Sequence, residues 1–300
     1  MNILKKLYYN TWNIGFIEHS INEVICSNDT QFEVHWVQHK YKDRFFADPF
    51  ILSADDKIIK VLVEEFPYYK KKGIISLLNI NRLSYKIESK KIVLEQPYHM
   101  SFPYIQRNND GNVMWVAPEA SESGGWYRYS INPQTEMLEE QRCILKEQSL
   151  DSVIVKYGGM YWLFCTKRGK DSNKKLFIYY GEKPEGPWIA HASNPVVEDA
   201  TMARAAGNII SDGHDLYRVV QKCDNTYGEF INVFRIDTLT ESSFSESFIK
   251  SICAQKDMYS GGFHTINGFG ELCVVDGLRT DFRPLHRVCF ETRNILNFHK

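Results

Sequence analysis

The 300-residue chain lacks most of the features that would assign it quickly. Its seven cysteines include no Cys-x-x-Cys pair, which excludes the zinc ribbons that such spacing marks. An odd, scattered set also argues against a disulfide scaffold and for a reducing compartment, so the expected location is cytoplasmic. No apolar run approaches the roughly 20 residues of a membrane helix. The opening Met1-Asn-Ile-Leu-Lys-Lys-Leu has no apolar core of signal-peptide length. Neither sign of charge is in excess: 36 Lys and Arg face 37 Asp and Glu, a net charge of −1. That balance speaks against a nucleic-acid partner. No glycine-rich phosphate loop follows a strand, which counts against nucleotide enzymes of the Rossmann kind, and no cofactor is expected. No long amphipathic helix is evident, and a helix near the N-terminus is only weakly signalled.

Aromatic residues, in contrast, make up 14% of the chain, which suits β structure and the stacking of rings on sugars. A repeat of about fifty residues runs through the sequence. Each copy is an apolar strand, a turn with Asp or Gly, and a second aromatic-rich strand. The copies start near Asp48, Phe102, Asp151, Ala206 and His264. Aligning Pro49, Pro103, Ser152, Gly207 and Thr265 gives spacings of 54, 49, 55 and 58. That period, with Asp-Gly and Gly-Gly hairpin signals between strands, predicts an all-β five-bladed β-propeller with four-stranded antiparallel blades. A pair of smaller β domains is the alternative. The expected ring closure uses an N-terminal strand at Phe32–Val37, leaving 1–30 as an extension to one domain of 1–300.

The first strand of each propeller blade lines the central channel, so matching positions converge. Here they hold Asp48, His99 beside the Ser101-Phe102 step, Asp151, Arg204 and His264. Carboxylates meeting in a partly dry pocket shift each other's pKa values or pair with a cation, as acid–base catalysis requires. The plainer roles are an Asp-Pro turn for Asp48 and a turn cap for Asp151. Glu65 and Glu119 end the second strands of blades one and two, with Gln221 at the matching place in blade four. They are read as ligands for sugar hydroxyls, or else rim charges; Asp276 could equally serve a turn. Lys167 and Arg168 end the second strand of blade three, and their plainer role is solvated loop charge. No ligand spacing demands a metal ion, although one near Asp48, His99 and His264 is compatible with the pattern.

The phrase Arg44-Phe-Phe-Ala-Asp48-Pro-Phe-Ile resembles the opening motif of the clan of glycoside hydrolase families 43, 62 and 32, whose fold is a five-bladed propeller. The resemblance implies that Asp48 is a general base or nucleophile. It also implies that Asp151, in Leu150-Asp-Ser-Val-Ile, orients that group and tunes its pKa. A closer resemblance is to the N-terminal propeller domain of plant glucosamine inositolphosphorylceramide transferases and bacterial relatives. It is carried by Phe45-Phe-Ala-Asp48-Pro-Phe, Val63-Glu-Glu-Phe, His99-Met-Ser-Phe-Pro-Tyr, Ala117-Pro-Glu, Ala203-Arg-Ala-Ala-Gly and His264-Thr-Ile-Asn. The matches run from roughly residue 44 to 277.

The fourth blade departs from the hydrolase pattern. Where a glutamate should act as general acid stands Met202-Ala-Arg204-Ala-Ala-Gly207. Glu185 and Glu198 are near in sequence but read as a blade edge and a loop. Arginine binds phosphate, a leaving group that needs charge rather than a proton. The expectation is therefore a glycosyltransferase-type enzyme with Asp48, Asp151 and Arg204 as catalytic residues. Lys167 and Arg168 would assist at a phosphate-activated or nucleotide sugar, with a glycan acceptor as second substrate, in surface polysaccharide or glycolipid assembly. The alternatives are a furanosidase-like glycoside hydrolase and a non-catalytic carbohydrate-binding propeller. The plainer role for Arg204 is an ion pair with Asp48 or Asp151.

Overall fold

The computed structural model describes residues 8–255 and 257–282. Five antiparallel sheets form the ring. Blade I is Arg44–Ala54, Ile58–Pro67, Ile74–Asn81 and Ile87–Leu94. Blade II is Ser101–Arg107, Val113–Glu119, Trp126–Ile131 and Leu138–Leu145. Blade III is Ser149–Tyr157, Met160–Lys167, Lys175–Gly181 and Ile189–Ala190, with Val197–Glu198 also pairing to its third strand. Glu198 thus lies in a short strand rather than a loop. Blade IV is Ile210–Ser211, Leu216–Gln221, Ile231–Leu239 and Phe244–Ile252.

Blade V joins the two ends of the chain. Its inner strands are Ile266–Phe269 and Leu272–Phe282; its third strand is Tyr8–Ile17 and its fourth His35–Trp36. The closing strand is therefore Tyr8–Ile17, inside the segment expected to be an extension, and it pairs with Leu272–Phe282 along its whole length. The expected closing segment, Phe32–Val37, supplies only the two-residue outer strand. Between these two strands lies the helix Ile21–Cys26, started by a capping box in which Ser20 and Glu23 satisfy each other's backbone N–H groups.

The second strands are buried on both faces. In Ile58–Pro67, Ile59, Val61 and Val63 are fully buried, and so are Leu163 and Phe164 in blade III. Each such side chain contributes about 1.5–3 kcal/mol when removed from water. The inner strand of blade IV is shorter than its repeat predicts and begins at Ile210, not near Ala206. The chain passes so close to blade V at Gly207 that a Cβ there would lie 2.0 Å from the Ile266 carbonyl oxygen. Among the described residues, no helix is long and apolar enough to cross a membrane.

Candidate functional site

Three blades open with the same backbone device. Asp48, Phe102 and Asp151 have φ of 49°, 41° and 44°, the left-handed region that non-glycine residues seldom adopt. Each sits where the ladder between first and second strands slips by one residue: between Ala47 and Phe50, Ser101 and Tyr104, Leu150 and Val153. Such a bulge places two residues opposite one and re-aims a side chain. It turns Asp48 and Asp151 to the face opposite the one that simple alternation assigns.

Asp48 is held from both neighbouring blades. Its Oδ2 accepts from the Phe102 backbone N–H at 3.2 Å, and its Oδ1 accepts from the Thr265 hydroxyl at 2.9 Å. The His264 Nε2 lies 3.2 Å from Oδ1. The Nδ1 of His264 is 2.8 Å from Asp276 Oδ1. Asp276 also accepts the backbone N–H groups of Asp48, His264 and Thr265 at 3.0, 3.2 and 3.0 Å. Burial opposes charge on His264, but the carboxylates of Asp276 and Asp48 hold its pKa well above the usual imidazole value. Burial likewise opposes charge on Asp48, yet bonding to His264, with Thr265 and Arg204 adding to it, keeps its carboxyl below the usual range. The Asp48, His264 and Asp276 ligand atoms lie within 4.8 Å of one another. That trio has the composition of a metal site, and both imidazole nitrogens face carboxylates.

A second cluster faces it. Arg204 Nε donates to Asp151 Oδ2 at 2.6 Å and its Nη1 to Asn173 at 2.9 Å. Gln221 donates to the same Asp151 oxygen at 3.0 Å and to the Ala205 carbonyl at 2.7 Å. Burial pushes the Asp151 carboxyl up to about 6, against the pull of Arg204. The Tyr227 ring covers the Arg204 guanidinium at 5.1 Å and approaches His264 at 5.4 Å, and it is itself exposed. The segment carrying Arg204 is fixed from below by Arg218, which donates to the Met202 and Ala203 carbonyls and pairs with Glu246 at 2.7 Å.

Strand register identifies a further ring of polar groups. Glu64 lies opposite Ala47, Glu119 opposite Ser101, and Thr166 opposite Leu150. Gln221 and Asp276 occupy the same level through backbone bonds from Gln221 to Arg204 and from Asp276 to Thr265. All five are buried. Glu119 accepts from the Ser101 hydroxyl at 2.8 Å. Among the described residues the Glu64 carboxyl makes no hydrogen bond, and His99 Nε2 lies 3.6 Å from its Oε1. Burial, reinforced by Asp48 and Glu119, raises the Glu64 carboxyl well above its ordinary value, opposite in direction to the shift on Asp48. Gly73 makes this arrangement fit, because a Cβ there would lie 2.5 Å from Glu64 Oε1 and 2.3 Å from the Met100 carbonyl. The Gly73 N–H donates to His99 Nδ1 at 2.8 Å, which leaves the imidazole proton on the nitrogen facing Glu64.

The structure therefore brings together Asp48, Asp151, Arg204, Glu119, Gln221 and His264, with His99 at the edge. Arg168 stays at the rim, bonded at 3.2 Å to Glu122, which also accepts from the His99 backbone N–H. Glu65 and Lys167 are not part of the cluster. Glu65 is fully buried on the other face of blade I, where it binds Arg44, Lys90 and the Ser76 hydroxyl. Lys167 pairs with Glu147 and lies over the Phe177 and Tyr179 rings. Both misplacements have one cause. Without the bulges, Asp48 would share a face with Glu65, and Asp151 with Lys167. Glu64, Thr265 and Tyr227 were missed. The prolines after Asp48 and Phe102 were the available signal, since a residue without an N–H suits an unpaired bulge position.

Comparison with known proteins gives a consistent picture. The family model described as "Glucosamine inositolphosphorylceramide transferase 1, N-terminal" matches residues 26–268. The Arabidopsis thaliana protein named glucosamine inositolphosphorylceramide transferase 1 is 31% identical over 209 residues, 67% of this chain and 27% of that protein. The Oryza sativa subsp. japonica protein of that name is 28% identical over 213 residues, 69% of this chain and 28% of its own length. The chain thus spans little more than a quarter of these curated relatives. Among solved structures, the catalytic domain of the Coprinopsis cinerea family 62 α-L-arabinofuranosidase is similar with a TM-score of 0.55 at 9% identity, over 77% of this chain and 80% of that one. A thermostable family-43 glycoside hydrolase is similar with a TM-score of 0.53 at 13% identity, over 73% of this chain and 81% of that one. These likenesses show the fold, and the family match shows the kinship: the chain belongs to the family of the N-terminal domain of glucosamine inositolphosphorylceramide transferase 1.

Proposed function

We propose that the chain is a carbohydrate-active enzyme that moves a glycosyl group onto an acceptor hydroxyl at Asp48. One observation carries the reading: Asp48 and Glu64 share one buried channel, and their surroundings drive the two carboxyls in opposite directions, Asp48 below and Glu64 above the usual range. Paired groups whose environments drive their pKa values apart mark acid and base roles. Asp48 would accept the proton of the attacking hydroxyl or face the positive charge that develops on the sugar ring. Asp151, fixed by Arg204 and Gln221, would bind and orient the sugar. The relatives' name and the propellers of glycoside hydrolases favour a carbohydrate as the substrate.

Two sources of the glycosyl group are distinguished by specific groups. Transfer from a phosphate-activated donor is favoured by Arg204, whose Nη2 carries no hydrogen bond while Nε and Nη1 are engaged. Hydrolysis of a glycoside is favoured by Glu64, which supplies the neutral acid that the fourth blade lacks. The test compares nucleotide sugars with aryl glycosides. Donor turnover that falls at least tenfold in Arg204→Lys and is indifferent to Glu64→Gln supports transfer. Cleavage of poor-leaving-group glycosides that requires Glu64, with activated aryl leaving groups spared, supports hydrolysis. Asp48→Asn should lower either activity by 10²-fold or more while the protein stays folded. A fully active Asp48→Asn enzyme overturns the proposal. Sugar binding with no turnover of any donor would instead mark a binding module.

A further inference from the structure

A second pocket, of about 390 Å3, lies beside the channel between blades V and I. The strand Tyr8–Ile17 separates the two. Trp12 packs on His264 with ring centroids 4.1 Å apart, while its neighbours Thr11 and Asn13 point to the other face and line the pocket. The pocket's charge is the reverse of the channel's. Among the described residues, Lys40, Lys42, Arg44 and Arg279 line it and no Asp or Glu does. The acids that balance the arginines stand behind them: Asp43 and Glu65 on Arg44, Asp281 on Arg279. The two guanidinium groups are fixed further by aromatic rings, Arg279 over Tyr259 at 5.3 Å and Arg44 over Tyr41 at 5.1 Å. Preorganised guanidinium groups in a concave site select anions.

A buried polar atom in the same wall, Asn13 Oδ1, has no hydrogen-bond partner among the described residues. Asn13 is only 1% exposed. Its amide nitrogen is occupied, donating to the Val37 carbonyl at 2.9 Å, which leaves an acceptor aimed at the pocket. A buried acceptor without a donor is costly, and a ligand hydroxyl would relieve it. The rings, however, are taken. Trp36 and Tyr259 stack on each other at 4.7 Å, with Arg279 also on Tyr259, and both Arg44 and Lys90 lie over Tyr41. That occupancy disfavours a nucleobase, which needs a free ring face.

We propose that this pocket is a second ligand site, separate from the channel, for a small saccharide bearing one anionic group, a carboxylate or a phosphate. The cations hold the anionic group, and Asn13 receives a hydroxyl. The inference does not depend on the channel being catalytic.

The experiment is binding by NMR shift perturbation or calorimetry on the full chain, with glucuronate, glucose 6-phosphate, glucose and inorganic phosphate as probes. Glucuronate or glucose 6-phosphate should bind at least tenfold more tightly than glucose or phosphate alone, and the better of the two identifies the anion. Binding should weaken as salt rises, because the exposed part of the attraction is screened. It should fall at least fivefold in Lys40→Glu, whose side chain is exposed and makes no contact that folding needs, and persist unchanged in Asp48→Asn. Asn13→Ser, which shortens the buried acceptor, should weaken the sugar-bearing probes and leave inorganic phosphate unaffected. Equal binding of glucose and glucuronate, no binding of any anionic sugar, retention in Lys40→Glu or loss in Asp48→Asn would each overturn the site.

Discussion

Glu64 and Glu65 are neighbours in one strand, and their surroundings could hardly differ more. Glu65 points between blades, fully buried, against Arg44, Lys90 and Ser76. Glu64 points into the channel beside Asp48, with His99 Nε2 at 3.6 Å and no side-chain hydrogen bond among the described residues. One carboxyl is neutralised by cations, the other is pushed towards its protonated form. The contrast teaches how the propeller separates cohesion from chemistry: one face of a second strand satisfies its charges, and the channel face leaves one unsatisfied. Unsatisfied buried acids are the kind that sites use and folds avoid.

The comparison is broken most severely at Glu65. Glu65→Gln leaves the Arg44 and Lys90 charges without their shared partner and should cost about 3 kcal/mol, measured by urea unfolding. A loss under about 1 kcal/mol would mean that the cluster is cohesive in appearance only. His264→Gln comes next, at about 2 kcal/mol near neutral pH, because charged hydrogen bonds to Asp48 and Asp276 are lost. Its pH dependence has a definite sign. The folded pKa of His264 lies above the unfolded value of 6.5, so its stabilisation is complete below pH 6.5 and fades as pH climbs through the folded value. The stability gap between the parent chain and His264→Gln should therefore narrow in alkaline solution; a gap that widens there contradicts a protonated His264.

The smallest effect on stability belongs to Glu64→Gln, and its sign is opposite to that at Glu65. Holding Glu64 neutral favours the fold only at low pH. Its raised carboxyl makes the folded chain lose stability as pH rises above 4.5 towards the folded value. Glu64→Gln should gain on the order of 1 kcal/mol at pH 7, because the amide stays neutral without binding a proton, and nothing below pH 4.5. Equal destabilisation by both substitutions would erase the distinction between the two faces.

Much of the fold was legible because blades repeat. The Pro49, Pro103, Ser152, Gly207 and Thr265 periodicity reflects five copies of one hairpin-rich unit, and Asp48, Asp151, Arg204 and His264 do converge. The closing strand was not legible. Tyr8–Ile17 pairs with Leu272–Phe282 at the other end of the chain, and nothing local announces so distant a partner. Facing was not legible either, since alternation is reliable only where the ladder is regular. A single bulge at Asp48 exchanges Glu65 for Glu64, and another at Asp151 removes Lys167 from the site. Arg204 shows a third limit. The sequence left open whether it pairs with Asp48 or with Asp151, and the structure places its Nε on Asp151 at 2.6 Å.

The central claim is that one channel drives the Asp48 and Glu64 carboxyls in opposite directions. Carbon-13 NMR titration of the side-chain carboxyls, assigned with Asp48→Asn and Glu64→Gln, measures this without any knowledge of the substrate. The expected result is an Asp48 resonance ionised down to below pH 3.8 and a Glu64 resonance that titrates well above 4.5. A Glu64 carboxyl that titrates near 4.5 would contradict the account.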